Sequence, residues 1–145
     1  SVTEEGKVAA FRTEGNPHCH IILRGGKSPN YDSESVQACE EELRKAGHEE
    51  NIMIDCSHGN SQKDPAKQLD VLKEIASQLK KGNKSIIGVM IESNLEEGNQ
   101  PIPDDLDEIR PGVSITDACI SWKATELILR EFAKEISPAL KNRSA

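Results

Sequence analysis

The sequence predicts an α/β fold built on parallel strands, and three observations point there. Short apolar runs at 20–23, 52–54 and 85–91 have the length of buried strands. Each is followed by a polar loop and then an amphipathic helical pattern, and this alternation places parallel strands beneath a layer of helices. The runs also end in chemistry-bearing residues: Arg24-Gly25-Gly26-Lys27, Asp55-Cys56-Ser57-His58-Gly59-Asn60 and Glu92-Ser93-Asn94. The C-terminal ends of parallel strands are where βα-barrels and open α/β sheets assemble their sites.

Taken in order, residues 1–15 carry a hairpin signal, with Val8-Ala9-Ala10-Phe11 between Glu5-Gly6 and Glu14-Gly15-Asn16-Pro17. Pro17-His18-Cys19-His20 opens the first strand. His18 and His20 share one strand face with no third partner nearby, which favours packing over metal binding. Two glycines after that strand let the backbone approach a ligand, and the flanking Arg24 and Lys27 suit a phosphate or carboxylate; a tight surface turn would read the same way.

Asp32-Ser33-Glu34 offers a helix cap, Val36, Cys39, Leu43 and Ala46 follow at helical spacing, and Gly47 is a stop. After the second strand, Asp64-Pro65 reads as a cap with proline at the first helical position. Leu69, Leu72, Ile75, Ala76 and Leu79 form the apolar stripe, and Lys80-Lys81-Gly82 ends it. The third strand is followed by a proline-bearing polar loop over 96–112, expected to hold no long regular element. A last helix is predicted over 122–136, and residues 141–145 form a tail.

The bulk composition removes several classes. With 145 residues, a net charge of −7 and 3% aromatic residues, the chain offers no basic stripe for nucleic acid. No apolar run approaches the roughly 20 residues of a membrane span. The four cysteines (Cys19, Cys39, Cys56 and Cys119) form no CxxC pair and read as thiols in a reducing compartment, which points to a soluble cytoplasmic protein. Three βα units fall short of a closed eight-stranded barrel, which takes about 250 residues. The chain is either the closing part of such a barrel or a small open sheet with edges to cover.

At the strand ends, His58, Glu92 and Asp117 make a mixed nitrogen and oxygen donor set suited to manganese, iron, cobalt or zinc. Open positions on such an ion polarise a substrate oxygen, and Arg24 one strand away suits an anionic group beside it. Polar strand-end residues that merely pair with one another would give the same pattern.

Five motifs in order then resemble a known family. They are the stretch 16–26 (Asn16-Pro17-His18-Cys19-His20 through Gly26), Met53-Ile54-Asp55-Cys56-Ser57-His58-Gly59-Asn60-Ser61, Gly88-Val89-Met90-Ile91-Glu92-Ser93, Glu97-Gly98-Asn99-Gln100 and Ser114-Ile115-Thr116-Asp117-Ala118-Cys119. They are similar to the phenylalanine/tyrosine-regulated class of 3-deoxy-D-arabino-heptulosonate-7-phosphate (DAHP) synthases. The resemblance implies the C-terminal portion of a (β/α)8 TIM barrel: an inserted hairpin over 1–15, then the last three βα units over 16–140. It implies condensation of phosphoenolpyruvate with erythrose 4-phosphate by a metal-dependent enzyme of the shikimate pathway; separately, the open strand edges and apolar helix faces of a half-barrel point to a homo-oligomer. His58, Glu92 and Asp117 would hold the metal, Arg24 would bind the phosphate of phosphoenolpyruvate, and His58 and Arg24 would act in catalysis. Ser1, Val2 and Phe11 would border an aromatic amino-acid feedback pocket. The family's fourth metal ligand, a cysteine, and its Lys-Pro-Arg-Thr motif belong to the N-terminal part, which this chain would need as a partner. The alternative is a non-catalytic half-barrel that self-associates, or one that regulates the synthase by binding aromatic amino acids.

Overall fold

In the computed structural model, which describes residues 1–10, 12–141 and 143, the three apolar runs form one parallel sheet in the order β1-β2-β3. β1 is Ile21–Leu23, β2 Ile52–Asp55 and β3 Ile86–Met90. Ile21, Ile22 and Leu23 lie beside Ile52, Met53 and Ile54. The β2–β3 register shifts after Ile52, so that Met53 faces Gly88 and Asp55 faces Met90. The shared direction brings all three C-terminal ends to one edge of the sheet.

The helices begin and end where local chemistry dictates. α1 (Ser33–Lys45) starts at Asp32, whose side chain accepts a hydrogen bond from the Ser35 N–H at 2.9 Å. That bond holds the Asp32 carboxyl below its usual range. Gly47 follows the helix at φ 74°, a left-handed conformation that glycine adopts without penalty. Asp64 caps Pro65–Lys67 as expected, but this first turn is a 3-10 turn that leads into α2 (Gln68–Lys80). α3 (Trp122–Lys141) runs past the expected end at 136 and takes Pro138 into its interior. Proline there forgoes one backbone hydrogen bond near the helix end, while Ile136 stays buried at 8% exposure.

One face of the sheet is covered. Ile52 and Ile54 of β2 join Val36 of α1, Val71, Leu72, Ile75, Ala76 and Leu79 of α2, Ile86 of β3 and Ile136 of α3 in a single buried cluster. No helix among the described residues covers the other face. Ile22 is 50% exposed, and the Met53 methyl lies 3.1 Å from where a Gly88 side chain would begin. Ile87, left without a partner by the register shift, is 52% exposed.

A feature the sequence reading omits is a second parallel pair, β4 (Ser93–Asn94) with β5 (Ile120–Ser121). Between them the loop holds only a 3-10 turn, Leu106–Glu108, in keeping with its prolines. Isolated bridges join Gly98 to Cys119 and Asn99 to Ser114. At the N-terminus Val2 and Val8 form an antiparallel bridge; Phe11 lies outside the described residues, as do Asn142, Ser144 and Ala145. No helix among the described residues is long and apolar enough to cross a membrane.

Candidate metal centre

The strand-end loops are fixed by backbone contact before any side chain is considered. A side chain on Gly25 would begin 2.5 Å from the Gly59 carbonyl carbon, and Gly25 has φ +75°. The loops after β1 and β2 therefore touch backbone to backbone, and only glycine permits it. Buried Asn60 stitches them further: its amide donates to Leu23 O (3.0 Å) and Asp55 O (2.8 Å), and its oxygen accepts from Asn30 N (2.8 Å).

Beyond this lock the chain bends sharply. His58 adopts φ 44°, a left-handed backbone uncommon for a residue with a side chain, and its ring folds back on the residue three before it. His58 Nδ1 lies 2.8 Å from Asp55 Oδ2, and Nε2 lies 3.4 Å from Glu92 Oε1. Asp55 is 2% exposed, and its other oxygen accepts from Ser57 N at 2.8 Å.

Glu92, just past β3, is held on both sides. The Ser57 hydroxyl donates to its carboxylate. The fully buried Gln68, at the start of α2, donates to Glu92 O (3.1 Å) and accepts from Glu92 N (2.8 Å). Asp117 arrives from the long loop. Its carboxylate is 42% exposed and meets Lys63 Nζ at 3.4 Å, an open pair of small energetic weight.

His58, Glu92 and Asp117 each offer one ligand atom, and the three atoms lie within 4.8 Å of one another. Three donors spaced 4.8 Å from one another lie about 2.8 Å from a common centre, so reaching a metal–ligand distance of about 2.1 Å needs each to move inward by at most about 0.7 Å. One imidazole and two carboxylates is also a chemically sound set for a first-row divalent ion. Cys119 does not join them. Burial pushes its thiol up; a hydrogen bond with Ser114 pulls the other way, but the Glu92 and Asp117 carboxylates add to the rise, and the net shift is upward, so it stays a neutral thiol.

Arg24 is not drawn into this cluster. It is exposed at the end of β1, and its carbonyl accepts from Gly59 N at 3.0 Å, which sets it beside the His58 loop. Ser1 and Val2 are exposed on the N-terminal bridge. The supporting residues Asp55, Ser57 and Gln68 were not anticipated as site residues. An aspartate closing a strand three residues before a histidine is the one sequence signal that could have marked Asp55.

Fold and cluster together define an α/β chain with a candidate divalent-metal centre at its strand ends. The chain belongs to the DAHP synthetase I family, whose profile matches residues 1–130. It is 51% identical over 144 residues to the Tyr-sensitive phospho-2-dehydro-3-deoxyheptonate aldolase of Salmonella typhimurium, covering 99% of this chain and 40% of that protein. It is 48% identical over 136 residues to the Phe-sensitive aldolase of Escherichia coli, covering 94% and 39%. A solved phospho-2-dehydro-3-deoxyheptonate aldolase from Francisella tularensis superposes with a TM-score of 0.86 at 45% identity, covering 94% of this chain and 40% of that one. The chain thus spans about 40% of the length of these relatives.

Proposed function

We propose that this chain is the C-terminal portion of a 3-deoxy-D-arabino-heptulosonate-7-phosphate synthase, supplying the last three βα units of a (β/α)8 barrel over 16–140. On this reading residues 1–15 are a hairpin inserted before them and 141–145 a tail. The observation that carries the proposal is the convergence of the His58, Glu92 and Asp117 donor atoms at the strand C-terminal ends. The bare sheet face around Ile22 and Met53 supports a barrel interior that the N-terminal part of the same cytoplasmic enzyme completes.

His58, Glu92 and Asp117 would hold manganese, iron, cobalt or zinc, with positions left open for substrate. When bound, such an ion polarises the aldehyde oxygen of erythrose 4-phosphate. Arg24 would pair with the phosphate of phosphoenolpyruvate, its guanidinium fork matching that anion. This orients the enol carbon toward the aldehyde carbon. The new C–C bond joins those two carbons as the aldehyde oxygen takes up a proton to become a hydroxyl; water adds, losing a proton, at the carbon that carries the phosphate ester, and cleavage of that C–O bond releases inorganic phosphate and leaves a ketone. Asp55, Ser57 and Gln68 keep the imidazole and Glu92 in place throughout. Ser1, Val2 and Phe11 would face an aromatic amino-acid effector, and the enzyme would work as a homo-oligomer.

In the full-length protein carrying this chain, phosphate release from phosphoenolpyruvate should require both erythrose 4-phosphate and a divalent metal. His58→Ala should abolish it. Retained turnover of His58→Ala at saturating metal would remove the ligand assignment.

A further inference from the structure

Asp55 is buried, charged and adjacent to the cluster, yet it is not one of the three donor residues. Each of its oxygens has a single task. Oδ1 accepts from Ser57 N at 2.8 Å, Oδ2 meets His58 Nδ1 at 2.8 Å, and its backbone oxygen accepts from the Asn60 amide at 2.8 Å. The carboxylate is therefore immobile.

A neutral imidazole carries one proton, on one nitrogen or the other. Two carboxylates compete for it. Asp55 lies 2.8 Å from Nδ1, within the range of a charge-assisted hydrogen bond, and is almost wholly shielded from water. Glu92 Oε1 lies 3.4 Å from Nε2, beyond the usual N–H···O distance. The shorter, buried contact takes the proton to Nδ1. The Nε2 lone pair is then left on the side of Glu92, the one arrangement in which that nitrogen can donate to an ion.

We propose that Asp55 is the positioning residue that fixes His58 as an Nε2 donor. The proposal rests on the metal reading above and deepens it. A purely structural Asp55, holding the turn through Ser57 N, would leave the ring free to take either tautomer.

Asp55→Asn separates the two roles. The amide has one accepting oxygen where the carboxylate has two. Ser57 N–H can only donate, so the oxygen turns to it and the NH2 group is presented to Nδ1. Nδ1 must then accept, and the proton moves to Nε2, where it blocks metal coordination. The same reasoning applies wherever a carboxylate orients a functional histidine.

The experiment records nitrogen-15 NMR of the histidine rings in the metal-free full-length protein, at a pH where they are neutral. Manganese titration of wild type and Asp55→Asn accompanies it. The wild-type His58 ring should be the Nδ1–H tautomer and the Asp55→Asn ring the Nε2–H tautomer. Manganese affinity should fall roughly 10- to 100-fold in Asp55→Asn. An Nε2–H ring in the wild type overturns the proposal with no variant needed, as does unchanged manganese affinity in a folded Asp55→Asn. A wild-type Nδ1–H ring in a protein that does not bind manganese would leave the tautomer lock standing and defeat the metal reading instead.

Discussion

The candidate centre has two halves built in different ways. His58 and Glu92 stand on strand ends, with side chains 25% and 22% exposed, and Asp55, Ser57 and Gln68 fill the hydrogen-bonding positions behind them. Asp117 comes from the loop between β4 and β5, is 42% exposed, and its side chain contacts a lysine that is itself mostly in solvent. The strand-end half is over-determined; the loop half is tethered at a few points. The closing movement an ion would require would therefore fall to Asp117, where motion disrupts least. On the proposed reading, rigid ligands would fix the geometry and the loop ligand would complete it.

The sharpest way to break this contrast is to attack the backbone lock beneath the rigid half. Gly25→Ala places a methyl 2.5 Å from the Gly59 carbonyl carbon at a left-handed φ. Strain and overlap together should cost about 3–5 kcal/mol, read as a large fall in the urea or thermal midpoint. Unchanged stability would mean that the two loops do not touch as described.

The loop half should respond more mildly. Gln100 is 8% exposed; it donates to Arg110 O (2.8 Å) and Val113 O (3.0 Å) and accepts from Arg110 N (2.9 Å). Gln100→Ala leaves these groups unpaired and should cost about 1–3 kcal/mol. Metal affinity should drop while hydrogen exchange quickens over 96–119 and stays slow in β2. Uniformly faster exchange would erase the distinction between the halves.

The smallest effect is electrostatic. Cys56, wholly buried behind the rigid half, has its thiol pushed up by burial from about 9 to about 12, the neighbouring Asp55 charge adding to the rise. Between those values the unfolded chain loses the thiol proton first, so stability is intact below pH 9 and declines above it. The slope is up to about 1.4 kcal/mol per pH unit. Alkaline unfolding should show a steeper decline in wild type than in Cys56→Ala, which keeps the smaller contributions of the raised Cys39 and Cys119 thiols.

The parts of this structure that were legible in the sequence are those with a local cause. β1, β2 and β3 are short apolar runs, and Asp32 and Asp64 cap their helical turns as their positions predict. β4 and β5 are two residues each and read Ser-Asn and Ile-Ser, with no periodicity to detect. α3 runs only three residues past Pro138, none of them buried, and its last buried position, Ile136, precedes the proline, so no apolar pattern marks that extension. The grouping of His58 with Glu92 was legible because polar groups just past apolar strands stand out, whereas Asp117 comes from a loop with no periodicity and was picked out by its carboxylate alone. Asp55 and Gln68 were not, since their roles depend on a left-handed turn at His58 and on a helix start meeting β3.

If His58, Glu92 and Asp117 hold one divalent ion, manganese titration of the full-length protein will show it. Wild type should bind one equivalent, Asp117→Asn should bind more weakly, and His58→Ala should lose more than the roughly 10- to 100-fold that outer partners command. Equal affinity in wild type and His58→Ala would contradict the account, because the ion would then be held elsewhere.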